Sequence, residues 1–204
     1  RSSLCSLISQ THSQIVCSLP AGQGSGNRIQ VSVAGQNLSS PFSFDYASPV
    51  VQSFAPASVR ADGSERVTVF GSGFGSNTPG FLTIVSIGGM DAKNITIAAD
   101  QSWLSFSPPV GSGSGLVIRV NVSGLLASAP LLFRYSAPVL TQLRGNGSCT
   151  ASGSSLVDCP VSGGSWITMS GANFGVSSSD VKVQIGDASS SSDFPLNITS
   201  FMFA

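Results

Sequence analysis

The sequence has few charged side chains, one histidine and no long apolar run, and each shortage argues against a class of function. Charged residues make up 9% of the 204 residues, and nine basic side chains balance nine acidic ones. A nucleic-acid-binding protein needs a basic surface that displaces counterions from phosphates, so we expect no nucleic-acid partner. A membrane-spanning helix needs about 20 apolar residues. No stretch of that kind occurs, so we expect no membrane span in this segment.

Groupings of catalytic or metal-binding residues are also missing from the sequence. The single His12 has no evident partners for a nucleophilic triad, and the acidic residues are scattered singly. The glycine-rich run at 71–75 superficially resembles a phosphate-binding loop, but no helix follows it, so a bulged turn with positive φ is the preferred interpretation. We therefore expect no enzyme activity, no catalytic residue, no metal and no cofactor.

An internal repeat is the most informative feature that is present. Pro20 to Gly26 matches Pro109 to Gly115, 89 positions further on, and the same offset continues without a gap as far as Pro49 and Pro138. A second match, Arg66 to Gly75 with Trp166 to Gly175, has an offset of 100. The later copy therefore carries an insertion between Pro138 and Gly171, a stretch that contains Cys149 and Cys159.

The two offsets divide the chain into three parts. Residues 1–48 are predicted to be the C-terminal half of one repeat, 49–137 a complete repeat, and 138–204 the N-terminal half of another repeat with a cysteine-containing insertion. An incomplete sandwich exposes unpaired strand edges, so each half is expected to need a neighbour.

The alternation of side chains predicts short β-strands. Val67/Val69 and Ile118/Val120/Val122 alternate with polar residues, which is typical of half-buried strands, and glycine, proline and asparagine separate these segments. A unit of about 90 residues with short strands indicates an all-β fold of tandem immunoglobulin-like β-sandwiches. We expect four aromatic residues of these segments to lie in the core, namely Phe44, Tyr46, Trp103 and Phe106.

The repeat resembles the IPT/TIG family. The resemblance rests on Pro49-Val-Val-x-x-Phe54-x-Pro56, Val67-Thr-Val-x-Gly71-x-Gly73-Phe74-Gly75, Pro108-Pro-x-Gly111-x-Gly113 and Phe133-x-Tyr135-x-x-Pro138. It implies an immunoglobulin-like fold of the kind found in plexins, growth-factor-receptor ectodomains, some transcription factors and large surface proteins of protists and bacteria.

The four cysteines form two local pairs, Cys5/Cys17 and Cys149/Cys159, which predict two disulfides in an extracellular or cell-surface protein. Buried free thiols are the alternative, since a zinc site would need closely spaced cysteines or histidines that are not present.

Five N-glycosylation sequons begin at Asn37, Asn94, Asn121, Asn146 and Asn197. This number is a mild excess over chance, and their positions in turns or on outward faces of strands lead us to expect covalent N-linked glycans on most of them.

We expect a structural, glycosylated extracellular repeat protein. It would form a stalk or filament by head-to-tail stacking or strand complementation, with copies of itself or neighbouring repeats as partners. The main alternative is a cell-surface receptor or adhesin ectodomain that binds a protein or carbohydrate ligand. An accessory domain of a secreted glycosidase and a transcription-factor domain are weaker alternatives.

Overall fold

The computed structural model describes residues 3–76, 82–129, 131–183 and 185. Their secondary structure is almost entirely β, which confirms the predicted fold class. In chain order the strands are β1 Ser6–Gln10, β2 Ile15–Ser18, β3 Asn27–Val33, β4 Gln36–Phe44, β5 Val50–Ala55, β6 Ser58–Val59, β7 Val67–Ser72, β8 Thr83–Ile87, β9 Met90–Asp91, β10 Lys93–Ile97, β11 Trp103–Ser107, β12 Ile118–Val122, β13 Leu125–Ser128, β14 Arg134–Tyr135, β15 Val139–Gly145, β16 Thr150–Ser152, β17 Ser155–Val157 and β18 Ile167–Ala172. A single-turn 3-10 helix follows at Ser178–Asp180.

The chain divides into two compact units. The first contains Arg1–Ala57, Glu65–Pro109 and Gly115–Phe133, and the second contains Ser58–Ser64, Val110–Ser114 and Arg134–Ala204. The predicted repeat boundaries after residues 48 and 137 stay predictions.

The first unit contains a sandwich of two four-stranded sheets. Their strand orders are β10-β11-β7-β5 and β13-β12-β8-β9, and every pairing in them is antiparallel. The alternation seen in the sequence places one face of each strand in the core, because successive side chains point to opposite faces of a strand. The fully buried side chains of this unit are Val67, Val69, Phe74, Val85, Ile87, Leu104, Phe106, Ile118, Val120, Val122 and Phe133.

The prediction that Trp103 belongs to the core is wrong. Leu104 and Phe106 are the inward residues of β11, so Trp103 points to the outer face and is 38% exposed. Phe106 is buried as predicted, and Phe44 and Tyr46 are half-buried with their rings in an edge-to-face arrangement.

Two isolated hairpins precede the sandwich in the first unit. β1 pairs with β2 and β3 with β4, both antiparallel. At the offset of 89, these four strands are the counterparts of β10, β11, β12 and β13 of the sandwich. Counterparts of β5, β7, β8 and β9 do not accompany them in the described sheets.

In the part of the second unit that the structure describes, the strands form three two-stranded sheets. β14 pairs with β6 in parallel, while β15 pairs with β18 and β16 with β17 in antiparallel fashion. β15 and β18 are the counterparts of β5 and β7, at offsets of 89 and 100. The β16–β17 hairpin lies inside the predicted insertion.

The glycine motif of each repeat forms the same bulge. The register between β5 and β7 shifts between Val51 and Ser53, and the register between β15 and β18 shifts between Leu140 and Gln142. A Cβ at Gly71 would collide with the carbonyl oxygen of Val50 and lie 2.8 Å from the Phe74 ring. The chain then turns through Gly73 (φ 72°) and Gly75 (φ 81°), a region that glycine adopts readily. The predicted bulged turn with positive φ is therefore present.

Candidate interaction surfaces

A buried glutamine joins the part of the chain that carries the β1–β2 and β3–β4 hairpins, called the hairpin segment below, to the sandwich. Gln23 lies in the loop between β2 and β3 and is 8% exposed. Its Nε2 donates to Ser123 Oγ at 3.1 Å, and its Oε1 accepts from the backbone N–H of Ser76 at 2.8 Å. The amide is therefore satisfied at both ends, as a buried polar group requires. The backbone N–H of Ser25 also donates to the Ser123 carbonyl at 3.2 Å. This set of contacts forms a loop-on-turn junction.

A related junction occurs in the second unit. Ser112 stands 89 residues after Gln23, and its Oγ donates to Asp180 Oδ2 at 3.1 Å. A Cβ at Gly175, the counterpart of Gly75, would lie 3.6 Å from the Ser112 Cβ. The same loop thus meets the same turn of the following repeat in both places, although the side chains that make the contact differ.

A tyrosine holds the loop of each junction in place. The Tyr46 hydroxyl donates to the Pro20 carbonyl at 2.7 Å, and the backbone N–H of Tyr46 donates to the Gly24 carbonyl at 3.0 Å. The Tyr135 ring packs against Gly111, where an added Cβ would be 2.8 Å from the ring. The backbone N–H of Tyr135 donates to Gly113 at 2.9 Å. Burial raises the pKa of Tyr135, because the phenolate loses solvation in this position.

The hairpin segment and the second unit each expose strands whose counterparts are covered. Among the described residues, β2 pairs only with β1 and β18 only with β15. Ile29 of β3 is 42% exposed whereas its counterpart Ile118 is fully buried. Phe174 is 40% exposed whereas its counterpart Phe74 is fully buried. The sequence motif is the same in each case, and the difference is that the described residues place no opposite sheet over Ile29 or Phe174 of the kind that covers Ile118 and Phe74.

Four of the five sequons lie in the described part of the chain. Asn37, Asn94 and Asn146 are exposed, and Asn121 is half-buried. Asn94 has a positive φ of 54°, and Asn121 Oδ1 accepts from the backbone N–H of Gly124 at 2.9 Å. Asn197 lies outside the described residues.

Both predicted cysteine pairs form disulfide bonds. Cys5 bonds to Cys17 across the β1–β2 hairpin, with Cα atoms 5.7 Å apart. Cys149 bonds to Cys159 across the β16–β17 hairpin.

Acidic residues in the turns serve as local caps. The pKa of Asp62 is lowered chiefly by the backbone and side-chain hydrogen bonds of Ser64. The pKa of Asp100 is lowered chiefly by the side-chain and backbone hydrogen bonds of Ser102. Such carboxylates are ionised acceptors that fix a turn. Within the described ranges no group of three or more histidine, cysteine or acidic side chains is placed to hold a metal, and no helix is long and apolar enough to cross a membrane.

Sequence reasoning missed the residues that make the junctions. Gln23 stands alone in a glycine-rich loop, and its partners lie 53 and 100 positions further along the chain. The offset of 89, which pairs Gln23 with Ser112, was the one available signal that this position faces the next repeat.

Comparison with known proteins agrees with the repeat. The IPT/TIG domain family matches residues 1–46, 49–135 and 151–202. No curated protein matches the chain. Among solved structures, the surface glycan-binding protein PbSGBP-B from Prevotella bryantii is 16% identical with a TM-score of 0.44, over 58% of this chain and 28% of that one.

Two further structures are similar at the same level. The plexin A4 extracellular region is 17% identical with a TM-score of 0.41, over 70% of this chain and 13% of that one. SGBP-B from a xyloglucan utilization locus in Bacteroides uniformis is 16% identical with a TM-score of 0.37, over 76% and 43%. The chain thus spans less than half the length of each. Because the family matches three successive segments that cover most of the sequence, the chain belongs to the IPT/TIG domain family.

Proposed function

We propose that the chain is a structural, extracellular repeat protein that assembles head to tail into a stalk or filament. Strands of one copy complete the open sandwich of the next. The observation that carries the proposal is the pair of open strands, β2 in the hairpin segment and β18 in the second unit, whose counterparts β11 and β7 pair directly in the sandwich.

Exposed apolar side chains supply the driving force. Ile15 and Val33 of the hairpin segment and Leu140 of the second unit are exposed, whereas their counterparts in the sandwich, Leu104, Val122 and Val51, are buried. Burial of apolar surface stabilises by about 25 cal/mol per Å², so covering these faces favours association. An unpaired strand edge adds a row of backbone donors and acceptors that a further strand satisfies.

The extracellular location is supported by the two disulfides, because such bonds persist in oxidising compartments. Glycans on the exposed sequons would keep this poorly charged surface soluble. We also propose that the chain is not an enzyme, since Asp62 and Asp100 serve as turn caps and the described ranges contain no group of three or more histidine, cysteine or acidic side chains placed to hold a metal.

Sedimentation velocity and negative-stain electron microscopy of the purified chain test the proposal. We expect concentration-dependent oligomers that extend into fibres of stacked domains. A monomer at every concentration that unfolds cooperatively and resists proteolysis at both ends would contradict the proposal.

A second function, an adhesin or receptor that binds a protein or carbohydrate, has one observation in its favour. Trp103 lies opposite Phe70 on the outer face of the sandwich, and both rings are partly exposed. Aromatic faces of this kind stack on apolar ligand surfaces. Binding to a glycan array that is lost in Trp103→Ala, while assembly is retained, would support this function. Equal binding by the wild type and by Trp103→Ala would contradict a binding role for this face.

A further inference from the structure

The complete sandwich shows how β11 and β7 pair. Trp103 is opposite Phe70, Leu104 opposite Val69, Ser105 opposite Thr68 and Phe106 opposite Val67. Leu104, Phe106, Val67 and Val69 point into the core, while the others form the outer face. On that face Arg66 extends from the start of β7 across β11, and its Nε donates to Ser105 Oγ at 3.0 Å.

The repeat offsets transfer this register to the open strands. Positions 103–106 of β11 correspond to positions 14–17, and positions 67–70 of β7 correspond to positions 167–170. The transferred pairs are Gln14 with Ser170, Ile15 with Met169, Val16 with Thr168, and Cys17 with Ile167. The two inward pairs remain apolar, as a core requires.

The outward pairs change together, which is the main observation. In the sandwich the aromatic side chains Trp103 and Phe70 face each other, and both of their counterparts, Gln14 and Ser170, are polar. The polar contact between Arg66 and Ser105 shows the reverse change, from polar to apolar side chains. Its counterparts are Trp166 and Val16, and both are apolar.

Complementary changes on two strands are expected when the strands contact each other, because cross-strand neighbours stabilise a sheet only when their chemistry matches. Trp166 is 62% exposed and Val16 is 38% exposed, so both apolar side chains leave surface open to solvent in the single chain. A largely exposed tryptophan beside a strand edge that has no partner among the described residues is accounted for if the matching valine lies against it in the assembly.

We propose that β18 of one copy adds antiparallel to β2 of a second copy, with Thr168 opposite Val16 and the Trp166 ring lying over Val16. The result is a composite sheet in the order β1-β2-β18-β15, which reproduces the order β10-β11-β7-β5 of the sandwich. This inference rests on the head-to-tail assembly proposed above and specifies its partner, strands and register. The middle repeat is not the partner, because its own β11 and β7 are already paired.

Intermolecular cross-linking tests the register in the full chain. The double variant Gln14→Cys with Ser170→Cys places the new thiols opposite each other on the outer face. Oxidation should give a ladder of linked chains on non-reducing gels, with the linking peptide identified by mass spectrometry. The matched control, Gln14→Cys with Thr168→Cys, separates the thiols diagonally by two residues, which exceeds disulfide reach. It should give at least 10-fold less ladder.

An exchange of side chains tests the Trp166–Val16 contact. Trp166→Arg alone should raise the concentration at which half of the protein assembles by about 10-fold. Adding Val16→Ser recreates the polar pair of the sandwich and should restore most of the assembly. If Trp166 served only to stabilise its own unit, Val16→Ser would not restore the assembly that Trp166→Arg had weakened.

The remaining outcomes separate the two proposals. Assembly without the expected cross-link, or with equal cross-linking in the control, overturns the register and leaves head-to-tail assembly in place. Assembly without the cross-link would also result if residues outside this segment paired with β2. A cross-link formed only within single chains contradicts the proposal that a second copy is the partner. Monomers without a cross-link overturn both proposals.

Discussion

At the scale of single residues, the two tyrosines show how a repeated side chain sets backbone shape. Tyr46 and Tyr135 are 89 residues apart, and the ring of each lies against a glycine, Gly22 for Tyr46 and Gly111 for Tyr135. A Cβ added at either glycine would clash with the ring. The ring therefore fixes the path of the loop that meets the next repeat. Because Tyr135 is buried, its ionisation is coupled to folding.

The raised pKa of Tyr135 predicts a loss of stability at high pH. The unfolded chain releases the phenolic proton near the reference pKa of 10.0, whereas the folded chain holds it to a higher pH. The contribution is therefore fully present below pH 10 and decreases as the pH rises further, by at most about 1.4 kcal/mol per pH unit. Denaturant unfolding between pH 9 and 11.5 should show a steeper decrease in the wild type than in Tyr135→Phe. Parallel curves would contradict the prediction.

At the scale of elements, the bulge between β5 and β7 depends on a glycine that makes close backbone contact. We predict that Gly71→Ala lowers the free energy of unfolding by about 3 kcal/mol, because the methyl group meets a backbone carbonyl that cannot rotate away. Chemical denaturation measures the effect. The neighbouring exposed residue provides the control, since Ser72→Ala should change stability by less than about 0.5 kcal/mol. A similar small effect of both substitutions would show that the bulge can relax.

The sequence predicts these elements where local pattern decides them. Alternation identified the inward residues of β7 and β12, and the offset of 89 identified the counterparts of whole strands. Trp103 shows that the apolar character of one side chain is a poor guide to burial, because the alternation of Leu104 and Phe106 with Ser105 and Ser107 places Trp103 on the outer face with the serines. The contact of Arg66 with Ser105 could not be predicted from the sequence, since it depends on the register of strands 39 positions apart.

At the scale of the whole molecule, charged side chains are only 9% of the residues, and glycans on the sequons would supply the surface with the polar groups that it otherwise has in small number. We predict that the native protein carries N-linked glycans at Asn37, Asn94 and Asn146 at higher occupancy than at Asn121. The first three are exposed, whereas Asn121 is half-buried and its side chain caps the turn at Gly124. Glycopeptide mass spectrometry of native material measures each occupancy. Full occupancy of Asn121 with the other three empty would contradict this order.

The disulfides also have a mechanical consequence. Each bond closes one hairpin, with sequence separations of 12 and 10, so neither bond links one repeat to another. When a chain is pulled from its ends, the residues inside these two closed loops cannot add to its contour length. The loops withhold about 70 Å of extended chain, so reduction should lengthen an unfolded molecule by that amount in a force-extension experiment. The covalent bonds limit how far a single chain stretches, while in the proposed assembly the cohesion between chains would depend on noncovalent strand pairing.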